Sequence, residues 1–265
     1  MDISSSVPVV TGASRGLGRA LVDALLDRDA QKVYAFARDT SSVRADTRIV
    51  PIDFDLLEPV SIAAAARSAG DVTLLINNAS TAAFAGPLDA EPAAVRNEMA
   101  VNYDGTYATI RAFVPVLDAN GGGAIVNVLS LLALASTPPM TGYSASKAAA
   151  HSLTQALRPV LAQRAITVHG VYPAGIDTDM LAGIEAPKTP PAEVAAALLE
   201  GLAAGQEDIF PDPNAQAMSH TWWSDPKSFE RAFSGAAGHE RLHRDHRRGR
   251  ADAQPRREWS LGRVA

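Results

Sequence analysis

Tyr143 and Lys147 stand four residues apart in Tyr143-Ser-Ala-Ser-Lys147. On a helix that spacing puts phenol and amine on one face, about 6 Å apart along the axis. A phenol ordinarily ionises near pH 10, at about that reference value. To exchange a proton with a carbonyl or an alcohol near neutral pH it must be tuned downward. An ammonium about 4 Å away favours the phenolate by on the order of 4 kcal/mol at an effective dielectric near 20. Desolvation cancels part of that gain. The pair reads as a tuned proton-transfer group, and Ser130, at the end of an apolar run, is placed to hydrogen-bond a substrate oxygen. The plain alternative is a packed aromatic beside a snorkelling lysine, because the spacing is common.

A second set of residues suits phosphate. In Val7-Pro-Val-Val-Thr-Gly-Ala-Ser-Arg-Gly-Leu-Gly18 a β-branched run passes into Gly12, Gly16 and Gly18, then into an Ala/Leu-rich helical pattern. Glycine permits positive φ and lets a phosphate approach bare backbone. The helix starting near Leu17 offers free N–H groups and the positive end of its dipole. An ordinary strand-to-helix turn is the alternative, since one glycine-rich turn is weak evidence.

Positioning these groups requires a framework, and the chain supplies alternating segments. Strands are expected at 7–11, 32–37, 48–54, 72–76, 124–129, 166–172 and 208–211. Helices are expected at 17–29, 59–69, 92–118, 143–164 and 191–204. Runs such as Thr73-Leu-Leu-Ile76 and Ala124-Ile-Val-Asn-Val128 are apolar on successive residues, which marks strands buried on two faces. Right-handed βαβ crossovers then give a Rossmann-like, doubly wound parallel sheet flanked by helices on both faces, with ligands at the carboxyl ends of the strands.

Composition fits one α/β domain of 265 residues, 47% hydrophobic and 20% charged. With no cysteine there is no disulfide, thiolate metal site or Cys nucleophile. The start, Met-Asp-Ile-Ser-Ser-Ser, lacks a secretory pattern, and no apolar run approaches a membrane span. A cytoplasmic protein without membrane partners is expected. The net charge of −5 is unevenly spread: residues 239–265 hold eight Arg against four Asp/Glu, with His239, His243 and His246. A body at 1–238 and a solvated, flexible Arg/His-rich tail at 239–265 is the expected division. A nucleic-acid arm is opposed by the acidic body. Nothing fixes the three histidines for a metal, and no metal site is expected.

Together these residues resemble the short-chain dehydrogenase/reductase family, from about Val7 to about Pro211. Thr11 to Gly18, with Ser14, Arg15 and Leu17 beside the glycines, looks like the phosphate turn. Asp55 and Leu56 match the adenine-contacting segment. Asn77-Asn78-Ala79-Ser80 resembles the family's Asn-Asn-Ala-Gly strand end, with Asn78 and Ala79 towards the cofactor. Asn102 falls where the family has a structural and catalytic Asn, and Ser130, Tyr143 and Lys147 complete the tetrad. Pro173-Ala-Gly-Ile-Asp-Thr178 resembles the loop that holds the nicotinamide carboxamide through Ile176 and Thr178.

The resemblance implies an NADP-dependent carbonyl reductase. Tyr143 would donate the proton, Ser130 orient the carbonyl, Lys147 tune Tyr143 and bind the nicotinamide ribose, and Asn102 hold a water linking Lys147 to solvent. It also implies a homodimer or homotetramer. An alcohol or hydroxysteroid dehydrogenase working oxidatively, or a non-catalytic NADP-sensing regulator, are the alternatives. Two departures stand out: Ser80 replaces a glycine, and Ala174 displaces the usual glycine to Gly175.

Cofactor choice follows from charge. At the end of the second strand, Arg38 stands where an acidic residue would bind the 2′-hydroxyl of NAD, and Arg15 lies nearby. Two guanidinium groups favour the 2′-phosphate of NADP. Asp39 is expected to point away; two merely solvated arginines are the alternative. Substrate is expected between 131–140, 82–88 and 180–184, stretches apolar enough for a moderately hydrophobic carbonyl compound. The short 181–191 segment suggests an open site. His151, His169, Trp222 and Trp223 are expected to pack, the tryptophans on a helix beyond the sheet.

Overall fold

The computed structural model describes residues 2–234. The tail division at 239–265 lies outside them. Seven parallel strands form one sheet: β1 (Pro8–Thr11), β2 (Val33–Ala37), β3 (Ile49–Asp53), β4 (Leu74–Asn77), β5 (Gly123–Val128), β6 (Ile166–Val171) and β7 (Asp208–Ile209). Their order is β3-β2-β1-β4-β5-β6-β7. Strand order reverses between β1 and β4, so a cleft opens at the carboxyl ends of these two strands.

Eight helices are described: α1 (Gly16–Leu26), α2 (Pro59–Ser68), α3 (Pro92–Met99), α4 (Thr106–Ala119), α5 (Thr141–Ala162), α6 (Pro191–Ala203), α7 (Pro213–Ser224) and α8 (Pro226–Phe233). Successive strand residues face opposite sides, and the cores divide accordingly. Val10, Ile76 and Val126 pack with Leu21 and Leu25 of α1 and Leu198 and Leu202 of α6. Val9, Leu75 and Ile125 pack on the other side with Ile62 of α2, Phe113 and Leu117 of α4 and Leu161 of α5. The doubly wound sheet is therefore as the alternation of segments implies.

One expected element is broken. Residues 92–118 do not form a single helix: α3 and α4 are separated by a π-helical segment, Ala100–Gly105. Periodicity alone does not reveal such a widening. Asn102, inside it, donates to the Thr81 carbonyl at 2.9 Å and accepts from the Thr81 N–H at 2.8 Å. At its end, a Cβ on Gly105 would lie 2.7 Å from Leu56 Cβ, so only glycine lets the segment meet the loop after β3.

A third cluster lies at the chain's described end. Phe229 of α8 and Ala215 of α7 pack against Leu131 and Tyr172. Trp222 joins that cluster, as expected of the post-sheet helix, while Trp223 is exposed. Helix α8 had no counterpart among the expected elements; Asp225 caps it through the Ser228 N–H at 3.0 Å.

Candidate active site

The glycine turn joins β1 to α1 as a bare cradle. Gly12 has φ 69° and Gly16 φ 53°, values that favour glycine. A Cβ on Gly18 would overlap the Gly12 carbonyl, so this third glycine allows α1 to sit against the strand end. No side chain caps α1 at Arg15, which leaves its first N–H groups for an anion. The cradle is braced from β4. Thr11 Oγ1 accepts from the N–H groups of Asn78 and Ala79, each at 3.0 Å, and Asn78 Nδ2 donates to the Thr11 carbonyl at 2.9 Å. The Thr178 methyl reaches over Gly16, where a Cβ would lie 3.2 Å from it. These residues, from three separate segments, suit a diphosphate.

The adenosine end is more open. Arg38 is exposed and Arg15 forms an exposed pair with Asp179 at 3.3 Å. Asp39 is occupied locally: its Oδ1 accepts from the Ser41 N–H at 3.0 Å and the Ser41 hydroxyl at 2.6 Å. These contacts hold its charge in the 40–42 turn and lower its proton affinity. Asp55 accepts from the Leu57 N–H at 2.9 Å, which shapes the loop carrying Leu56. Ser14 gives its backbone carbonyl to Arg19 at 2.6 Å.

The proton-transfer end is buried. Ser130, Tyr143 and Lys147 are 8%, 8% and 4% exposed. The Ser130 hydroxyl accepts from the Leu132 N–H at 3.1 Å and bears on the Tyr143 phenol. Lys147 Nζ donates to the Val128 carbonyl at 2.8 Å and lies 5.6 Å from the centre of the Tyr143 ring. The expectation of a phenol tuned downward is corrected here. Burial, with a smaller contribution from the Glu98 carboxylate, pushes Tyr143 up to about 12, against the opposing hydrogen bond from Ser130. Burial also brings Lys147 down to about 8. Desolvation is the largest effect on the phenol, and the Lys147 amine donates its hydrogen bond to the Val128 carbonyl. A phenol so raised is protonated at neutral pH.

Asn102 also reaches α5. Besides Thr81, its amide donates to Ser146 Oγ at 2.9 Å. Its side chain thus ties the segment after β4 to α5. The Ala174 departure has a structural reason. The Ala174 N–H donates to Asp212 Oδ2 at 2.9 Å, and a Cβ on Gly175 would lie 2.7 Å from the Pro187 carbonyl. Glycine is needed at 175 because the returning strand passes there. Ile176 bridges to Thr189 in this same loop. Ser80 is half-buried, and nothing in the structure explains its side chain.

Sequence reasoning missed Asp212, Glu98 and Thr81. Asp212 is 1% exposed and caps α7 through the Ala215 N–H at 2.9 Å. Asp-Pro at 212–213, a capping residue ahead of a first-turn proline, was the available signal. Glu98 offered none, because one acidic residue on an amphipathic helix reads as a solvated face. Leu131 borders an open groove of about 260 Å³ with Ala174, Pro187, Asn214, Met218, Ala232 and Phe233, a groove that neither Ser130 nor Tyr143 lines. His151 and His169 pack as expected, bonding Tyr172 Oη at 2.8 Å and the Gln206 carbonyl at 2.6 Å. Among the described residues no helix is long and apolar enough to cross a membrane.

Comparison with known proteins agrees with this geometry. Residues 6–189 match the family model described as short chain dehydrogenase. The chain is 33% identical over 189 residues to galactitol 2-dehydrogenase (L-tagatose-forming) of Cereibacter sphaeroides, covering 67% of this chain and 74% of that one. A short chain dehydrogenase from Burkholderia cenocepacia, crystallised with NADP, superposes with a TM-score of 0.84 at 40% identity, over 88% of this chain and 99% of that one. A short chain dehydrogenase/reductase from Burkholderia phymatum, in complex with NAD, shares the fold, with a TM-score of 0.76 at 21% identity over 98% and 100% of the two chains. The glycine cradle, the buried Ser130–Tyr143–Lys147 group and the extent of these matches place the chain in the short-chain dehydrogenase/reductase family.

Proposed function

We propose that this oxidoreductase reduces the carbonyl group of a small, moderately hydrophobic compound to an alcohol, using NADPH. The observation that carries the reading is the burial of Ser130, Tyr143 and Lys147 together, with the Lys147 amine 5.6 Å from the centre of the Tyr143 ring. Bound over the glycine cradle, NADPH would supply the hydride. The remaining work belongs to the chain. Ser130 orients the carbonyl oxygen, and Tyr143 donates the proton that this oxygen takes up as it becomes a hydroxyl. Lys147, 5.6 Å from the centre of the Tyr143 ring, would hold the cofactor ribose and set its charge beside the phenol. Asn102 keeps α5 and the segment after β4 in register.

The preference for NADP rests on Arg38 and Arg15, with Asp39 turned to its own 40–42 turn. The NADP complex of the Burkholderia cenocepacia relative supports it. A second reading, oxidation of an alcohol, is favoured by the likeness to a galactitol 2-dehydrogenase. A regulator without turnover would have no use for a complete, buried proton-transfer group. The test is NADPH consumption across ketones, aldehydes and quinones, run beside NADP reduction with polyols and secondary alcohols. Turnover of apolar carbonyl compounds is expected; turnover of polyols alone would overturn the reading.

A further inference from the structure

One side chain joins the glycine turn to the segment that follows Arg38. Arg19, in the first turn of α1, directs a single guanidinium nitrogen at two backbone carbonyls. Its Nη2 donates to the Ser14 carbonyl at 2.6 Å and to the Ser42 carbonyl at 3.1 Å. Bonds from a cation are stronger than those between neutral groups. Ser42 closes the turn after Arg38: its hydroxyl donates to the Asp39 carbonyl at 2.7 Å. Thr40 Oγ1 donates to Asp53 Oδ1 at the end of β3, at 3.2 Å. With the contacts between Asp39 and Ser41, residues 39–42 form a closed unit, tied to β3 on one side and to Arg19 on the other. The strands beneath are in register, Thr11 beside Phe36, and the Ala13 N–H donates to the Phe36 carbonyl at 3.0 Å. Ser14 and Ser42 lie beyond that pairing, where Arg19 links them.

We propose that Arg19 is a positioning residue for cofactor choice: by clipping the Ser14 carbonyl to the Ser42 carbonyl, it sets the spacing between the glycine turn and Arg38. The proposal rests on the reading of Arg38 as the partner of the 2′-phosphate. NADP carries two anionic groups, the diphosphate and the 2′-phosphate, at a separation its own covalent structure limits. A protein that binds both must hold its two phosphate sites at a matching distance. The diphosphate suits the glycine turn and the uncapped start of α1. The 2′-phosphate suits Arg38, which enters the 39–42 turn directly. Both segments are exposed at this end, so without a link the second site would have to be ordered at the moment of binding. NADH lacks the second phosphate and does not use that spacing. The clip therefore serves one dinucleotide and leaves the other nearly indifferent.

The test is a double-mutant cycle read by binding, so that no substrate has to be known. Dissociation constants for NADPH and NADH are measured by fluorescence titration of wild type, Arg19→Met, Arg38→Ala and the double variant. Arg19→Met keeps a long side chain that suits a helix and removes both hydrogen bonds. The Kd for NADPH is expected to rise about fivefold in Arg19→Met, and that for NADH by less than about twofold. In the Arg38→Ala background the same substitution is expected to add little, because the group it places is gone. Equal weakening of NADPH and NADH, no weakening of either, or a loss fully additive with that of Arg38→Ala would overturn the assignment of Arg19. An Arg38→Ala protein that binds NADPH as tightly as wild type would instead overturn the reading of Arg38 on which the proposal rests.

Discussion

The two ends of the cleft handle charge differently. At the proton-transfer end, Ser130, Tyr143, Lys147 and Glu98 are all 8% exposed or less. At the adenosine end, Arg15 and Asp179 keep 73% and 79% of their side-chain surface in solvent, and Arg38 is exposed. Burial moves Tyr143 and Lys147 far from their ordinary proton affinities, whereas exposed charges are screened and contribute little each. The buried end should therefore depend on single side chains. The exposed end spreads its task over backbone amides and several arginines, so single changes there should tilt preference without abolishing function.

Substitutions can break this contrast. The largest effect is expected from Lys147→Met, which removes the ribose contact and the charge beside Tyr143. A loss of kcat/KM of about a thousandfold is expected in steady-state NADPH oxidation. Ser130→Ala removes one hydrogen bond to the reacting oxygen and should lower kcat/KM by about a hundredfold. Arg38→Asp should raise the KM for NADPH about tenfold relative to that for NADH, through loss of phosphate pairing and like-charge repulsion. A wild-type enzyme that already prefers NADH would contradict the charge argument at this end.

The smallest effect concerns stability without cofactor. Lys147 has its proton affinity lowered on folding, from 10.5 to about 8. Its burial penalty is therefore present below about 8 and is relieved as pH rises towards the unfolded value. That penalty is on the order of 3 kcal/mol. Wild type should gain stability relative to Lys147→Met between about pH 8 and about pH 10, as read by urea unfolding at several pH values. A stability difference independent of pH would show that Lys147 is not buried as a charge.

Much of this contrast was legible in the sequence, for reasons that differ by region. The glycine turn was readable because Gly12, Gly16 and Gly18 meet local demands: positive φ at two positions and close approach at the third. Strands such as Leu74–Asn77 announce burial on two faces through unbroken apolar runs. The proton affinity of Tyr143 was not readable, because desolvation depends on what α3, α5 and the end of β5 enclose together. Nor was the break at Ala100–Gly105: the long-range bonds of Asn102 to Thr81 and Ser146 impose it on a chain segment with good helical periodicity. Glu98 and Gly142 illustrate the same limit, since each is ordinary alone and informative only when the fold puts one against the other.

The central claim is that Tyr143 delivers the proton and the glycine cradle, not the phenol, holds the cofactor. The most direct measurement is the turnover number of Tyr143→Phe with a good carbonyl substrate, set beside its NADPH affinity by fluorescence titration. The ring keeps its packing in this variant and loses only the hydroxyl. Turnover is expected to fall by about a hundredfold or more, with NADPH bound nearly as in wild type because its phosphates rest on the turn between β1 and α1. Near-normal turnover in Tyr143→Phe would contradict the account, and with it the roles assigned to Ser130 and Lys147.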